Sequence, residues 1–493
     1  MTDAVAWSVL LPLAGGCTCA VLPDRARAWA VAPTGLGTAA AVALVAADVW
    51  REGAGRYPLG SWGAPLGIDL YSDGLSAIML LMTTAVALGI GPYAAAYFGP
   101  SRGRGARPTA FWPLALFLWG GLNTLFLSSD LFNLYVCLEV TTLAGVGLIV
   151  IEDDRVALFA AVRYLLAGFL ASMILLLGVA LLYAAFGVLD IRLLAERIVG
   201  GPPVWVGLAL VTAGLALKTA LFPLHFWLPR AHASAPPPVS AVLSALVVTG
   251  SYYVMLRLWV EVFPAALSGA GAQLLGGFGA AAICWGSLQA VRQQHLKPMV
   301  AYSTVAQIGY LFLVFPMVGL GGDAQWARAA WSGGVYQAVS HAFAKAGMFL
   351  AVGSIARAVG DDRIGGVRGI ATHMPLSTYA FGLAGMSLIG LPPSGGFVAK
   401  WQLLIASFGS GQWWWGIAIL VGGLLTASYV FLVLGQELSQ AEEDTAHGFA
   451  PVPAAMEWTA FALALVAFLL GLRPLEALEL LGIGGPFPFI GPR

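Results

Sequence analysis

The stretch VTAGLALKTALFPLHFWLPRAHASAPPPVSAVLSAL, residues Val211 to Leu246, begins as an apolar helix but cannot finish as one. Lys218 sits inside the apolar run and Pro223 interrupts it. His225, Pro229 and His232 follow, then the triple proline Pro236–Pro237–Pro238, and then a second apolar run. A lysine in hydrocarbon costs roughly 2.5–3.5 kcal/mol on insertion scales, so it calls for a partner. A proline break frees backbone groups that only protein or water can satisfy, which is tolerated away from lipid. Charge and a broken helix in one segment form the pattern of an ion path.

The rest of the chain supplies the membrane. Its 493 residues are 59% hydrophobic and 10% charged, with a mean hydropathy of +0.84. A soluble chain would carry about 25% charged residues. Apolar runs of roughly 20 residues recur from end to end, which implies a polytopic α-helical membrane protein. The runs are continuous rather than alternating, which excludes an outer-membrane barrel. The first run, near residues 5–22, lacks a basic n-region and reads as a retained span, not a signal peptide.

Cys17, Cys19, Cys137 and Cys284 all lie in apolar runs and read as small apolar filler. No pattern points to haem, iron–sulfur, flavin, nucleotide or metal binding, so no cofactor and no nucleic-acid partner is expected.

Lysine usage is more telling. Of 24 basic side chains only Lys218, Lys297, Lys345 and Lys400 are lysines, and three of these fall inside or beside apolar runs. Arginines sit almost entirely in loops. Arginine stays protonated in proteins, whereas a desolvated lysine can lose its proton. The competing reading is a set of static, salt-bridged lysines.

About fourteen apolar runs predict an all-α membrane protein with fourteen transmembrane helices. The seventh run (204–222) and the twelfth (375–391) each have a broken continuation, to about 235 and 408. In GLPPSGGFVAKW, Pro392–Pro393 and Gly395–Gly396 make the second break and Lys400 follows it. Two broken spans five spans apart, each with one lysine, suggest two inverted five-helix repeats. The expected organisation is a three-helix segment 1–109, repeats 110–263 and 264–436, and a loop with a last helix over 437–493. Asp190–Val199 and Glu437–Asp444 are expected at the surface.

Counting loop Lys/Arg by side gives eight on the side of the N-terminus, among them Arg56, Arg192, Arg257 and Arg493. Twelve fall on the other side, among them Arg102, Arg104 and Arg107. This bias places both termini on the outer face of the inner (plasma) membrane.

Glu139 lies mid-run and is the only carboxylate expected so deep. Lys218 is its natural partner and Arg163 the other nearby cation. His341 and Lys345, four residues apart in VSHAFAKAGMFL, share one helix face. His225 and His232 mark either a solvent entry or a capped helix break. His295, His373 and His447 read as loop residues.

LSSDLFNLYVCLEV, LALKTALFPLHFWLPRAHASAPPPVSA, HLKPMVAYSTVAQIGYLFL, SHAFAKAGMFL and GLPPSGGFVAKW occur in this order. Together they resemble the antiporter-like proton-channel subunits of complex I, membrane-bound hydrogenases and Mrp-type multisubunit cation/proton antiporters. The resemblance runs over roughly 70–475 and leans to the D-type Mrp antiporter branch or the N-type branch of complex I (NADH-quinone oxidoreductase).

It implies that Glu139 is the essential fifth-helix glutamate and Lys218 its seventh-helix partner. Lys345 with His341 would be the central connecting groups, and Lys400 the twelfth-helix group at the exit. It also implies other membrane subunits as partners, and protons, with Na+ or another monovalent cation, as cargo.

One departure stands out. Members commonly carry a lysine or histidine in the eighth helix, where this chain has Ser244 and Thr249 in Val239–Leu256; Tyr252 and Tyr253 are the only ionisable groups there. The often-histidine position of the eleventh helix is Gln337. Hydroxyls can hold a water chain but cannot store charge.

The leading reading is therefore a proton-translocating subunit working through Glu139, Lys218, His225, His341, Lys345 and Lys400, with Ser244 and Thr249 as water-wire groups. A structural subunit that no longer conducts is the alternative. A membrane enzyme is disfavoured, since neither HExxH nor GxSxG occurs.

Overall fold

The computed structural model describes residues 2–99, 110–264, 266–318, 323–440 and 449–487. Arg102, Arg104, Arg107, His447, Arg493 and the acidic residues 442–444 lie outside the described residues. Among the described residues ten helices are long and apolar enough to cross a bilayer. The bent pair Ala454–Leu469 and Pro474–Leu481, at 75°, makes an eleventh. Three shorter apolar helices, Phe111–Leu127, Pro202–Lys218 and Pro375–Ile389, occupy the fourth, seventh and twelfth runs. The expected figure of about fourteen follows only if these also cross. The last two are short because each is one half of a broken span.

The first break comes earlier than the sequence suggests. The helix ends at Lys218, not near residue 222, and resumes as Leu228–Ser234. Pro223 disfavours helical geometry at Phe222 and offers no amide. The chain turns at Ala220, which takes φ +58°. Protein groups satisfy what is freed: the Trp227 indole donates to Leu217 O at 3.0 Å, and the Leu221 amide to Ala216 O at 3.0 Å.

The second break stops Pro375–Ile389 at Gly390 and restarts as Gly395–Gly409 behind the Ser394 cap. Gly390 sits at φ +91°, and a Cβ there would fall 2.7 Å from Lys400 Cδ, so the position needs glycine on two counts.

Between the breaks stands Ala324–Val359, a helix of 36 residues. At 1.5 Å per residue it is roughly 54 Å long, well beyond a bilayer core of about 30 Å. Glycines let neighbours close on it: Gly347 meets Ala464 and Gly353 meets Pro237. The eighth span, Pro237–Val262, is buried over nearly its whole length and winds as a π-helix at Leu243–Val247 and again at Leu258–Val262. Such π segments are frequent at functional sites.

A small hairpin between the second and third spans has no counterpart among the expected elements. Gly55–Pro58 pairs antiparallel with Asp69–Ser72, setting Arg56 opposite Tyr71. Asp190–Val199 contains the short helix Ile191–Arg197, which buries Ile191 and Leu194 and is capped by the buried Asp190.

Candidate functional site

Glu139 projects from Leu131–Ile149 toward the end of the first half-helix. Lys218 Nζ stands 3.1 Å from Glu139 Oε1 and 3.0 Å from Thr142 Oγ1, and the Ser172 hydroxyl donates to the same carboxylate oxygen. The side chains are 5% and 17% exposed, so the pair is shielded on both sides. Lys218 is also the last residue of its helix, where the carbonyl ends carry partial negative charge.

A cavity of about 10 Å³ beside the lysine is lined by Thr142, Tyr164, Trp227 and Ser251. That is roughly the room one water needs. Arg163 is not a competing partner. It is exposed and lines an open groove with Phe159 and Phe226.

The two histidines of the first break separate in role. His225 is half-buried and stacks on Phe222 at 5.4 Å. His232 is buried edge-on between Trp227, at 6.4 Å, and Phe349, at 6.1 Å.

The centre of the row lies on the long helix. Lys345 Nζ donates to Val300 O at 3.1 Å and to the Ser303 hydroxyl. The His341 ring nitrogen Nε2 lies 3.3 Å from Ser244 O. Ser244 Oγ is 2.8 Å from Thr304 Oγ1, and Thr304 donates to Val300 O, the same carbonyl that takes the lysine. Thr249 instead returns its hydroxyl to Ala245 O at 2.8 Å, inside its own helix. Ser251, which sequence reasoning passes over, lies 3.1 Å from the Thr219 hydroxyl and faces the Lys218 cavity.

At the second break Lys400 Nζ donates to Leu388 O at 2.6 Å and Ile389 O at 3.0 Å, over the Tyr310 ring at 4.1 Å. Gln337 donates to Gln307 at 3.0 Å, and Gln307 donates to Leu388 O at 3.2 Å. Gln337, Gln307 and Lys400 are thus tied through one carbonyl.

Several sequence expectations need correction. Glu139 lies mid-span as expected but is not the only buried carboxylate, because Asp73 and Glu437, at helix ends, are fully buried. Glu437 is no surface residue: its helix runs through to it and turns it inward. Arg257 is no loop charge. Its guanidinium forks onto Asp73 with two bonds of 2.9 Å, reaches Glu261 at 3.0 Å, and donates from Nε to the Tyr253 hydroxyl at 2.8 Å. This cluster clips the start of Gly74–Tyr97 to the end of the eighth span. Farther out, Arg56 bridges Asp69 and Asp190. His295 and His373 do stand on loops, His295 with Nδ1 2.5 Å from Asp362. All four cysteines are free.

Two broken helices around a buried row of ionisable side chains define an antiporter-like membrane subunit. The chain belongs to the NADH:quinone oxidoreductase/Mrp antiporter family, whose transmembrane pattern its residues 128–426 match. It is 37% identical over 414 residues to the NADH-quinone oxidoreductase subunit N of Desulforudis audaxviator (strain MP104C), covering 83% of this chain and 79% of that protein. It is 30% identical over 389 residues to a Na(+)/H(+) antiporter subunit of Alkalihalophilus pseudofirmus, covering 78% and 76%. A chain of the Mrp complex from Dietzia sp. superposes with a TM-score of 0.87 at 27% identity, covering 99% of this chain and 98% of that one.

Proposed function

We propose that this chain translocates protons as the antiporter-like subunit of a multisubunit cation/proton antiporter or respiratory complex in the inner (plasma) membrane. The observation that carries the reading is the row itself. Glu139–Lys218, Ser244–Thr304, Lys345–Ser303 and Gln307–Lys400 follow one another through the interior, joined by shared acceptors or separated by hydroxyl-lined gaps. In this reading 110–263 and 264–436 are inverted half-channels, flanked by 1–109 and 437–493, with both termini outside.

Proton movement would be electrostatic. Drawing Lys218 away from Glu139 removes the charge that holds its proton, and the proton then moves toward Lys345 and on to Lys400. Lysine suits these stations because, unlike arginine, it can be neutral where water is excluded. Among the described residues the buried atoms His341 Nδ1, Tyr252 Oη and Gln337 Oε1 find no protein partner, and they are the groups that bridging waters would bond. Relatives named for Na(+)/H(+) exchange favour Na+ or another monovalent cation as the exchanged ion.

The test is proton flux by the assembled complex in liposomes under an imposed pH gradient. Lys218→Ala should abolish flux while assembly persists. Undiminished flux from that variant would overturn the reading.

A further inference from the structure

Helix Trp413–Glu437 has a buried face that no part of the row above requires. Gly422, Thr426, Tyr429, Val433 and Glu437 recur along it at spacings of three and four, the period of one helix face. Three of the five are polar. At the deep end Gly422 presses on the hydroxyl end of Tyr310, whose ring carries Lys400 at 4.1 Å. Tyr429 lies beside Ser303, the partner of Lys345, and beside Gln307, which is tied to the Lys400 carbonyl. The Tyr429 hydroxyl is fully buried among the Thr426, Ser303 and Gln307 side chains, where the two lysine stations meet.

The outer end of this face is Glu437, with 0% of its surface exposed. Its one side-chain neighbour of hydrogen-bonding kind is the buried Thr378 hydroxyl, and among the described residues no cation pairs with the carboxyl. An ionisable group buried in a membrane protein is expensive, and by default marks a functional site. A merely structural carboxylate would have a cation on it, as Asp73 has Arg257.

The segment that roofs this corner is pinned to the helix end. The Gly369 amide donates to Gln436 O at 3.3 Å, and Arg368 Nε donates to Gln436 Oε1 at 3.0 Å. Next to Thr378 in the chain, Ser377 lies 3.2 Å from Glu457, and a few residues before it His373 is exposed. Glu437 therefore sits one layer below a polar surface. Two helical turns, roughly 12 Å, separate it from Tyr429.

We infer that Glu437 is the proton-loading carboxyl of a second access route, which joins the face carrying residues 364–374 to the Lys345 and Lys400 stations through Tyr429. This deepens the proposed function and rests on it. A proton from surface water binds the carboxylate to give the acid. It then passes along hydroxyls and intervening water to a neutral lysine amine, which becomes the ammonium and leaves the carboxylate free to reload. Protons alone move, so no further reactant is involved.

The experiment compares Glu437→Gln, Glu437→Asp and the double variant Glu437→Gln/Thr378→Glu in the assembled complex, by flux in liposomes. Gln fills the same space but cannot ionise, and its flux should fall at least tenfold. Asp, and the carboxyl moved across to position 378, should each restore a substantial part. Wild-type flux with Gln would overturn the inference. So would a loss that neither carboxyl variant repairs, since that marks a packing role. Lys218→Ala in the same assay separates the two claims: if it abolishes flux while Glu437→Gln does not, this inference alone fails.

Discussion

The two broken spans hold their lysines at the same kind of place by different means. Lys218 is the last residue of its half-helix, and Lys400 reaches back to Leu388 O and Ile389 O, the last carbonyls of the other half-helix. Both lysines thus belong to a helix C-terminus, where the backbone supplies partial negative charge. Of the two, only the Lys400 ammonium bonds the terminal carbonyls, while the Lys218 ammonium reaches across to Glu139 and Thr142. Among the described residues only the first break adds a full counter-charge, Glu139 at 3.1 Å. The second substitutes a tyrosine face and neutral carbonyls. In the proposed mechanism the first site would be a switchable pair, in which one partner's movement changes the other's hold on its proton. The second would be a fixed cradle that receives or releases a proton without a partner moving.

The sharpest way to break this contrast is to remove the counter-charge. Glu139→Gln keeps the shape and leaves Lys218 buried without a carboxylate. Losing one partner of a buried pair costs about 3–5 kcal/mol. Flux should fall on the order of 10²-fold, the lower end of what a positioned acid or base contributes. Thermal unfolding of the purified complex and liposome flux measure the two effects. A variant with native stability and flux would mean that the pair is dispensable and the two breaks are equivalent.

The second break should respond less in stability and in a different pattern. Lys400→Met leaves the Leu388 and Ile389 carbonyls without their donor, at about 1–3 kcal/mol for an unsatisfied buried acceptor. Lys400→Arg restores a donor and the charge but cannot release a proton. It should therefore recover stability while flux stays down on the order of tenfold. Recovery of both together would show that the cradle needs only a cation.

What the sequence makes legible follows from what composition can display. Lysine is scarce enough here for Lys218, Lys345 and Lys400 to stand out, and Pro/Gly clusters announce both breaks. Long-range pairing is another matter. Arg257 closes the eighth run and looks like a boundary charge, because Asp73, its partner, lies 184 residues away. Glu437 is hidden by the acidic residues that follow it, and one more residue of helix is enough to turn it inward. Among the described residues Lys400 has no acidic side chain to find, since its acceptors are backbone. Hydroxyls such as Ser251 and Ser303 are common in membrane helices and carry no compositional signal. Their role comes only from which cavity or lysine they face.

The smallest expected effect lies between the two breaks, on the π-wound eighth span. Ser244 and Thr249 look alike in the sequence, but their hydroxyls face different tasks. Ser244 Oγ meets Thr304, whose own hydroxyl shares Val300 O with Lys345. Thr249 is spent on Ala245 O within the helix. Thr249→Val keeps the branched shape and removes only that local bond, so flux should stay within experimental error of wild type. Ser244→Ala removes a hydroxyl of this span that reaches the Lys345 side, and flux should fall a few-fold with little loss of stability. A net hydrogen bond of about 1 kcal/mol corresponds to a factor of about five. Ser251→Ala, on the Lys218 side of the same span, should resemble Ser244→Ala, because a chain of hydroxyls and waters is limited by any missing link. If Thr249→Val blocks flux while Ser244→Ala and Ser251→Ala do not, protons cross this span along its other face, and the order of stations drawn between the two lysines is wrong.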